Sequence, residues 1–264
     1  MNFPNDSVAQ FARDRLSGGC DTMRQLLNGL LDAKGRVAEE VHAIRKLGKS
    51  LRGGFSLFRL EKSAALEIQA IGRLLSGPRD AVSRLKTWNK VGWVGDPKVS
   101  AAILGLLEQQ THSAARRPPP ETIAWCLERV DAAQKELQDL PVEDLAGKIG
   151  KGLEKLERRV FKRCGRLDDR AEEHFHEARK AVKAWLGAVA FLPEGVIPVN
   201  PQFDELAESL GDENDLTTLS VWLQDHGFTE KFAPDLWKTL NASRRKLQRD
   251  LIRDVANLKS ANAE

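Results

Sequence analysis

Apolar residues return every three or four positions along nearly the whole chain, the period of an α-helix buried on one side. Tyr is absent and runs of β-branched residues are few, so the pattern predicts an all-α protein. The first helix is expected over Asp6–Leu31, with Phe11, Leu16, Met23, Leu27 and Leu30 inward and a bend near Gly18-Gly19. The second runs through Val41–Leu60, entered at Glu39 and Glu40, whose carboxylates suit a helix N-terminus, and loosens at Gly53-Gly54. The third covers Ala64–Val91 and breaks at Gly77-Pro78, where proline cannot continue the hydrogen-bond ladder. The fourth covers Pro97–Ala115 and stops at the triple proline Pro118–Pro120.

A linking helix is expected over Glu121–Leu140, and a second set of four begins near Pro141. Its first member carries the run VEDLAGKIGKGLEKLERRVFKRCGRL, with Leu145, Ile149, Leu153, Leu156 and Val160 on one side. The others are expected over Asp168–Leu192, Gln202–His226 and Pro234–Leu258. The resulting division is a first bundle over 1–117, a linker and linking helix over 118–140, and a second bundle over 141–264. Four amphipathic helices bury their stripes most simply as a four-helix bundle.

The polar positions are ordered too. Along the second helix His42, Arg45, Lys46, Lys49 and Arg52 occupy one arc of about 120°, opposite Ile44, Leu47, Leu51, Phe55 and Phe58. One face is core and the other is a cationic ridge about 15 Å long. A lone ridge of this kind is ordinary solvated surface, but this one recurs. His176, Arg179, Lys180 and Lys183 repeat the offsets of His42, Arg45, Lys46 and Lys49 at a distance of 134 residues. Each copy is followed by a similar helix start, one with Arg79 and Asp80 and one with Asn214 and Asp215. Two landmarks with nearly one offset indicate an internal duplication.

Three further cationic stripes are visible. Lys148, Lys151, Lys155, Arg158, Lys162 and Arg166 share an arc on the helix after Pro141, either as an anion-binding face or as an exposed face laced with Glu154 and Glu157. Arg79, Lys86 and Lys90 form a second stripe, and Lys238, Arg245 and Arg249 a third.

At 264 residues, 41% hydrophobic and 30% charged, the chain is an ordinary globular one that can bury a sizeable core. Its net charge is only +3, so anion binding must come from local clustering. Cys20, Cys126 and Cys164 are odd in number and far apart, as expected of reduced, buried thiols in a cytosolic protein. No secretory signal is visible at the N-terminus, and the longest apolar run, Ala184–Leu192, is too short to span a bilayer. A cytoplasmic location is the expectation.

The two HxxRKxxK copies with their followers, in an all-helical duplicated chain, resemble the CHAD family over about Asp6–Leu258. The resemblance implies two four-helix bundles related by a pseudo-two-fold and a basic surface between them. It also implies binding of inorganic polyphosphate and association with polyphosphate granules and their proteins. Carried over by position, it points to His42, Arg45, Lys49, Arg52, Arg79, His176, Arg179 and Lys183. Three positions depart from the pattern, since Ser50, Ala184 and Leu186 stand where basic residues are common. The helix over Gln202–His226 carries no Lys or Arg but has Asp204, Glu205, Glu208, Asp212, Glu213 and Asp215. It is therefore expected not to contribute to an anion site. The ExExK signature of the family's triphosphate hydrolase companion is absent.

Linear polyphosphate offers a row of negative charges and no bases. Arg answers with bidentate hydrogen bonds and Lys with point charges. An imidazolium at His42 or His176 would donate twice and add charge, so binding is expected to strengthen from about pH 8 to about pH 6. Nucleic acid is disfavoured, because Trp88, Trp125, Trp185, Trp222 and Trp237 sit among apolar neighbours rather than among the cations. His174 and His176 point about 200° apart and do not form a metal pair. A metal-dependent phosphoanhydride hydrolase would need carboxylates, for which Asp212, Glu213 and Asp215 are the candidates, unless they cap a helix. No cofactor and no catalytic residue is expected.

Overall fold

The computed structural model describes residues 6–32, 37–114, 117–168, 171–197 and 200–261, and within these not the side chains of residues 77–79, 114 and 259–261. Its α-helices are α1 (Asp6–Asp32), α2 (Val37–Leu57), α3 (Ala64–Leu74), α4 (Ser76–Val91) and α5 (Pro97–Ala114), followed by α6 (Pro120–Gln138), α7 (Leu145–Cys164), α8 (Glu172–Val189), α9 (Gln202–Asp225) and α10 (Pro234–Ala261). Among the described residues no strand occurs, as the apolar period predicts.

Three expected interruptions differ. α1 continues through Gly18 and Gly19; Leu51 presses on Gly19, where a Cβ would stand 2.8 Å from Leu51 Cδ2. α2 continues through Gly53 and Gly54, which are crossing points for other elements rather than a loosened end. The break expected at Gly77-Pro78 falls at Leu75. Proline then sits in the first turn of α4, where its missing N–H removes no ladder bond. Ala115, the expected end of the fourth helix, lies outside the described residues, as do 198 and 199 in the connection before α9.

The first helix shows how the sequence encodes burial. Ala9, Ala12, Leu16, Cys20, Met23, Leu27 and Leu30 follow one another at spacings of three and four, and all are fully buried. Phe11 lies one position off this stripe and is 44% exposed, against expectation, with the Arg15 guanidinium over its ring. α1 packs on α2 as α7 packs on α8, and α3 packs on α2 as α9 packs on α8. The pairing of α2 with α8 is the most extensive in the molecule.

Two apolar clusters result, and each draws residues from both sides of α6. The larger joins α1, α2, α3, α6, α7 and α8 to the start of α9 and the end of α10. The smaller holds Trp88, Leu107, Trp222, Leu236 and Leu240, from α4, α5, α9 and α10. Trp88, Trp185 and Trp222 are buried as expected. Trp125 is not: it is 36% exposed on α6, with Arg129 stacked over it at 4.9 Å. All three cysteines are buried and none is in a disulfide, and burial pushes the Cys20 thiol up to about 12 and the Cys126 thiol up to about 11.

Candidate anion-binding groove

α2 and α8 approach until their backbones touch. A Cβ on Gly53 would stand 2.5 Å from the carbonyl oxygen of Ala184, and one on Gly187 would stand 3.0 Å from Ser50 Cα. Glycine at both places lets the helices close to this separation. The two cationic ridges flank the crossing. Lys49 and Arg52 of α2 line the same depression as Arg179, Lys180 and Lys183 of α8, a space of about 470 Å³ to which α7 adds Arg159 and Arg163.

Two further depressions continue it. One of about 370 Å³ joins Arg45, Lys49 and Arg52 to Arg73 at the end of α3. The other, of about 500 Å³, is lined by His42, Lys46, Lys49 and Lys183, with Asp204 and Glu208 of α9 also on its wall. Lys49 borders all three, so they are sections of one groove.

The cations in this groove are not equivalent. Arg45 is only 15% exposed; its Nη1 donates to the carbonyl of Gly72 and its Nη2 lies 3.6 Å from Asp80, so it ties α2 to α3 and α4. Burial, with Arg73 adding to it, lowers the Arg52 pKa from its ordinary value. Burial also lowers that of Lys183, helped by Arg179 and Lys46 against the pull of Asp204 and Glu208. Desolvation disfavours a charged form, and a neighbouring charge of the same sign adds to the penalty. The groove thus penalises the charged forms of Arg52 and Lys183, and an anion bound beside them would offset that penalty.

Carboxylates on the rim are already engaged. Glu177 accepts from Lys180 at 3.0 Å and lies 3.6 Å from Arg163, and the Lys180 bond first of all holds its carboxyl below the usual range. Burial pushes the Glu61 carboxyl up, but the hydrogen bond from Lys155 prevails and its pKa is lowered. His176 is exposed, its Nδ1 lies 2.9 Å from Asn214 Oδ1 on α9, and it lines the first two of these depressions.

The remaining predicted cations lie elsewhere. Lys148, Lys151, Arg158 and Lys162 of α7 border none of the three depressions, and Lys155 is spent on Glu61. Lys86 and Lys90 are exposed on α4, with Lys90 paired to Asp212 at 3.1 Å. Lys238, Arg245 and Arg249 are exposed on α10 and stand clear of the groove. Their neighbour Arg244 is buried instead, pairing with Glu172 at 2.9 Å and Glu213 at 3.4 Å. The side chain of Arg79 lies outside the described residues. α9, expected to stand apart, lines the groove, but with carboxylates.

Arg159, Arg163 and Arg73 do not stand out in the sequence. Arg159 and Arg163 fall about 20° and 60° from Lys148 around α7, between the cationic arc and the apolar one near 110°. A concave seam between helices is lined by such boundary positions, while the middle of a polar arc faces bulk water. Among the described residues no three His, Cys, Asp or Glu side chains are grouped to hold a metal ion, and no helix is long and apolar enough to cross a membrane.

No curated protein matches the chain. Two solved structures are similar to it in fold. The CHAD domain from the plant Ricinus communis has a TM-score of 0.65 at 18% identity, covering 94% of this chain and 91% of that one. PptA from Streptomyces chartreusis has a TM-score of 0.53 at 15% identity, covering 94% and 96%. The model of the CHAD domain family matches residues 7–224, which span α1 to α9 and hold both ridges and the whole groove. This chain belongs to the CHAD family.

Proposed function

We propose that the groove between α2 and α8 binds long-chain inorganic polyphosphate, and that the protein is a cytoplasmic binding module of polyphosphate granules without catalytic chemistry of its own. The observation that carries this reading is the convergence of Lys49, Arg52, Arg159, Arg163, Arg179, Lys180 and Lys183 on one depression that holds two carboxylates, Glu61 and Glu177. The net charge there is five positive, from a chain whose total is +3. Such a site suits a ligand with one negative charge per repeat. Rigid helices place the cation-bearing backbone in advance, so no backbone ordering opposes binding.

One observation favours polyphosphate over nucleic acid. No Phe or Trp lines the three sections among the described residues, so bases would find no stacking platform. The groove arginines suit bidentate pairing with phosphate oxygens, which either ligand offers. Membership of the CHAD family, to which the sequence resemblance attaches polyphosphate, points the same way.

The test is a competition in which labelled long-chain polyphosphate is displaced from the protein by unlabelled polyphosphate or by mixed-sequence DNA. Displacement by polyphosphate at far lower phosphate concentration than by DNA is expected. Equal displacement would favour a general basic scaffold. Orthophosphate release with Mg²⁺ or Mn²⁺ present would make the protein a hydrolase.

A further inference from the structure

The groove is not uniformly cationic. Its α7 section sets seven Lys and Arg side chains against two carboxylates, net +5. Its α3 section has five, Arg45, Lys49, Arg52, Arg73 and Lys180, and no carboxylate, again net +5. Its α9 section also has five, but against Asp204, Glu208, Asp212 and Asp215, net +1.

The four carboxylates are held as a wall and not as a chelate. Asp212 lies 3.1 Å from Lys90 Nζ and Asp215 accepts from Ser83 at 3.1 Å, so α9 is fixed against α4. Asp204 and Glu208, one turn apart on α9, are exposed and near enough to Lys183 to favour its charged form. Metal-ligand grouping is absent here among the described residues, so these side chains act as fixed negative charges toward whatever enters.

On the reading that the groove takes polyphosphate, we propose that Asp204 and Glu208 determine where the bound chain stops. A phosphate run is held along the α3 and α7 sections and turned away at the α9 wall. The groove therefore engages a limited run of phosphates instead of letting a chain pass through from end to end. A short oligophosphate fits within the two strongly positive sections and does not meet the wall.

The experiment compares the wild type with Asp204→Asn/Glu208→Gln, and with Glu128→Gln/Glu143→Gln as a control. Both pairs change net charge by two, all four side chains are exposed, and Glu128 and Glu143 border none of the depressions. Binding of long-chain polyphosphate and of tripolyphosphate is measured across a salt series, with thermal melts confirming that each variant is folded. The α9 variant is expected to bind the long chain about 3- to 10-fold tighter, with a log–log salt slope steeper by about 0.7 for each phosphate newly contacted, and to bind tripolyphosphate with an unchanged slope. An unchanged long-chain slope in the α9 variant, or an equal gain in the control, overturns the proposal while leaving the groove reading intact. Absence of polyphosphate binding by the wild type would overturn both.

Discussion

Gly53 of α2 rests on the backbone of α8, where a Cβ would stand 2.5 Å from the carbonyl oxygen of Ala184. Backbone cannot rotate aside as a side chain can, so Gly53→Ala must push the helices apart. A loss of about 1–3 kcal/mol in unfolding free energy is expected, the range for overpacking. A Cβ on Gly18 would meet nothing within 4 Å, and Gly18→Ala is expected to gain about 0.5–1 kcal/mol from helix propensity. Urea melts measure both; equal effects of the two substitutions would remove the close crossing from the account.

Lys183 has a pKa lowered from its ordinary 10.5, chiefly by burial and then by Arg179 and Lys46. Between the lowered value and 10.5 the unfolded chain holds more protons than the folded one, so this group's contribution to stability rises with pH through that window. Below both values the folded state bears the full penalty of the buried charge. A polyanion favours the charged form, so binding there should take up a proton and weaken as pH rises through the lowered value. Calorimetry in two buffers of different ionisation heat measures the uptake. It is expected to vanish in Lys183→Arg; undiminished uptake in that variant would assign the proton to another group.

The two faces of α7 make a sharp contrast. Arg159→Gln/Arg163→Gln removes two cations that line the groove, whereas Lys151→Gln/Arg158→Gln/Lys162→Gln removes three that face water. The inner pair should reduce polyphosphate affinity about 10-fold or more, as loss of charge-assisted hydrogen bonds implies. The outer triple should cost less at moderate salt, where screening over about 8–10 Å weakens remote charges. Filter-binding isotherms at one ionic strength decide this, and a larger loss in the triple would move the ligand to the outside of α7.

The same contrast explains what the sequence could and could not tell. Helical period places Leu16, Met23 and Leu27 inside and His42 to Arg52 on one arc, because both depend only on geometry within one helix. Which edge of an arc turns into a seam depends on a partner helix far along the chain, and so the period alone favours Arg158 and Lys162 over Arg159 and Arg163. The glycines at 19 and 53 read as weak points for the same reason: their function is set by Leu51 and Ala184, which lie distant in sequence. Arg244 and Arg245 are adjacent in the chain, yet one is 8% exposed and the other open to water.

Arg244 lies against Glu213, which is itself 2% exposed and also accepts from Gln248 at 2.9 Å. Removing the guanidinium leaves a buried carboxylate short of its counter-charge, so Arg244→Met is expected to destabilise by about 3–5 kcal/mol. Arg245→Met should change stability by no more than about 0.5 kcal/mol. Thermal and urea melts of the two variants provide the comparison, and a small effect at Arg244 would mean that Gln248 and Thr217, whose hydroxyl donates to Glu213 at 3.2 Å, suffice for Glu213.

The most direct test is the salt dependence of long-chain polyphosphate binding by the wild type and by Arg52→Gln/Lys183→Gln, which takes one partly buried cation from each ridge. With about eight phosphates contacted, log K of the wild type should fall with log salt at a slope of about −5 to −6, and the variant's slope should be shallower by about 1.4 with much weaker binding. A folded variant that matches the wild type in affinity and slope would contradict the account and place the polyphosphate away from the crossing of α2 and α8.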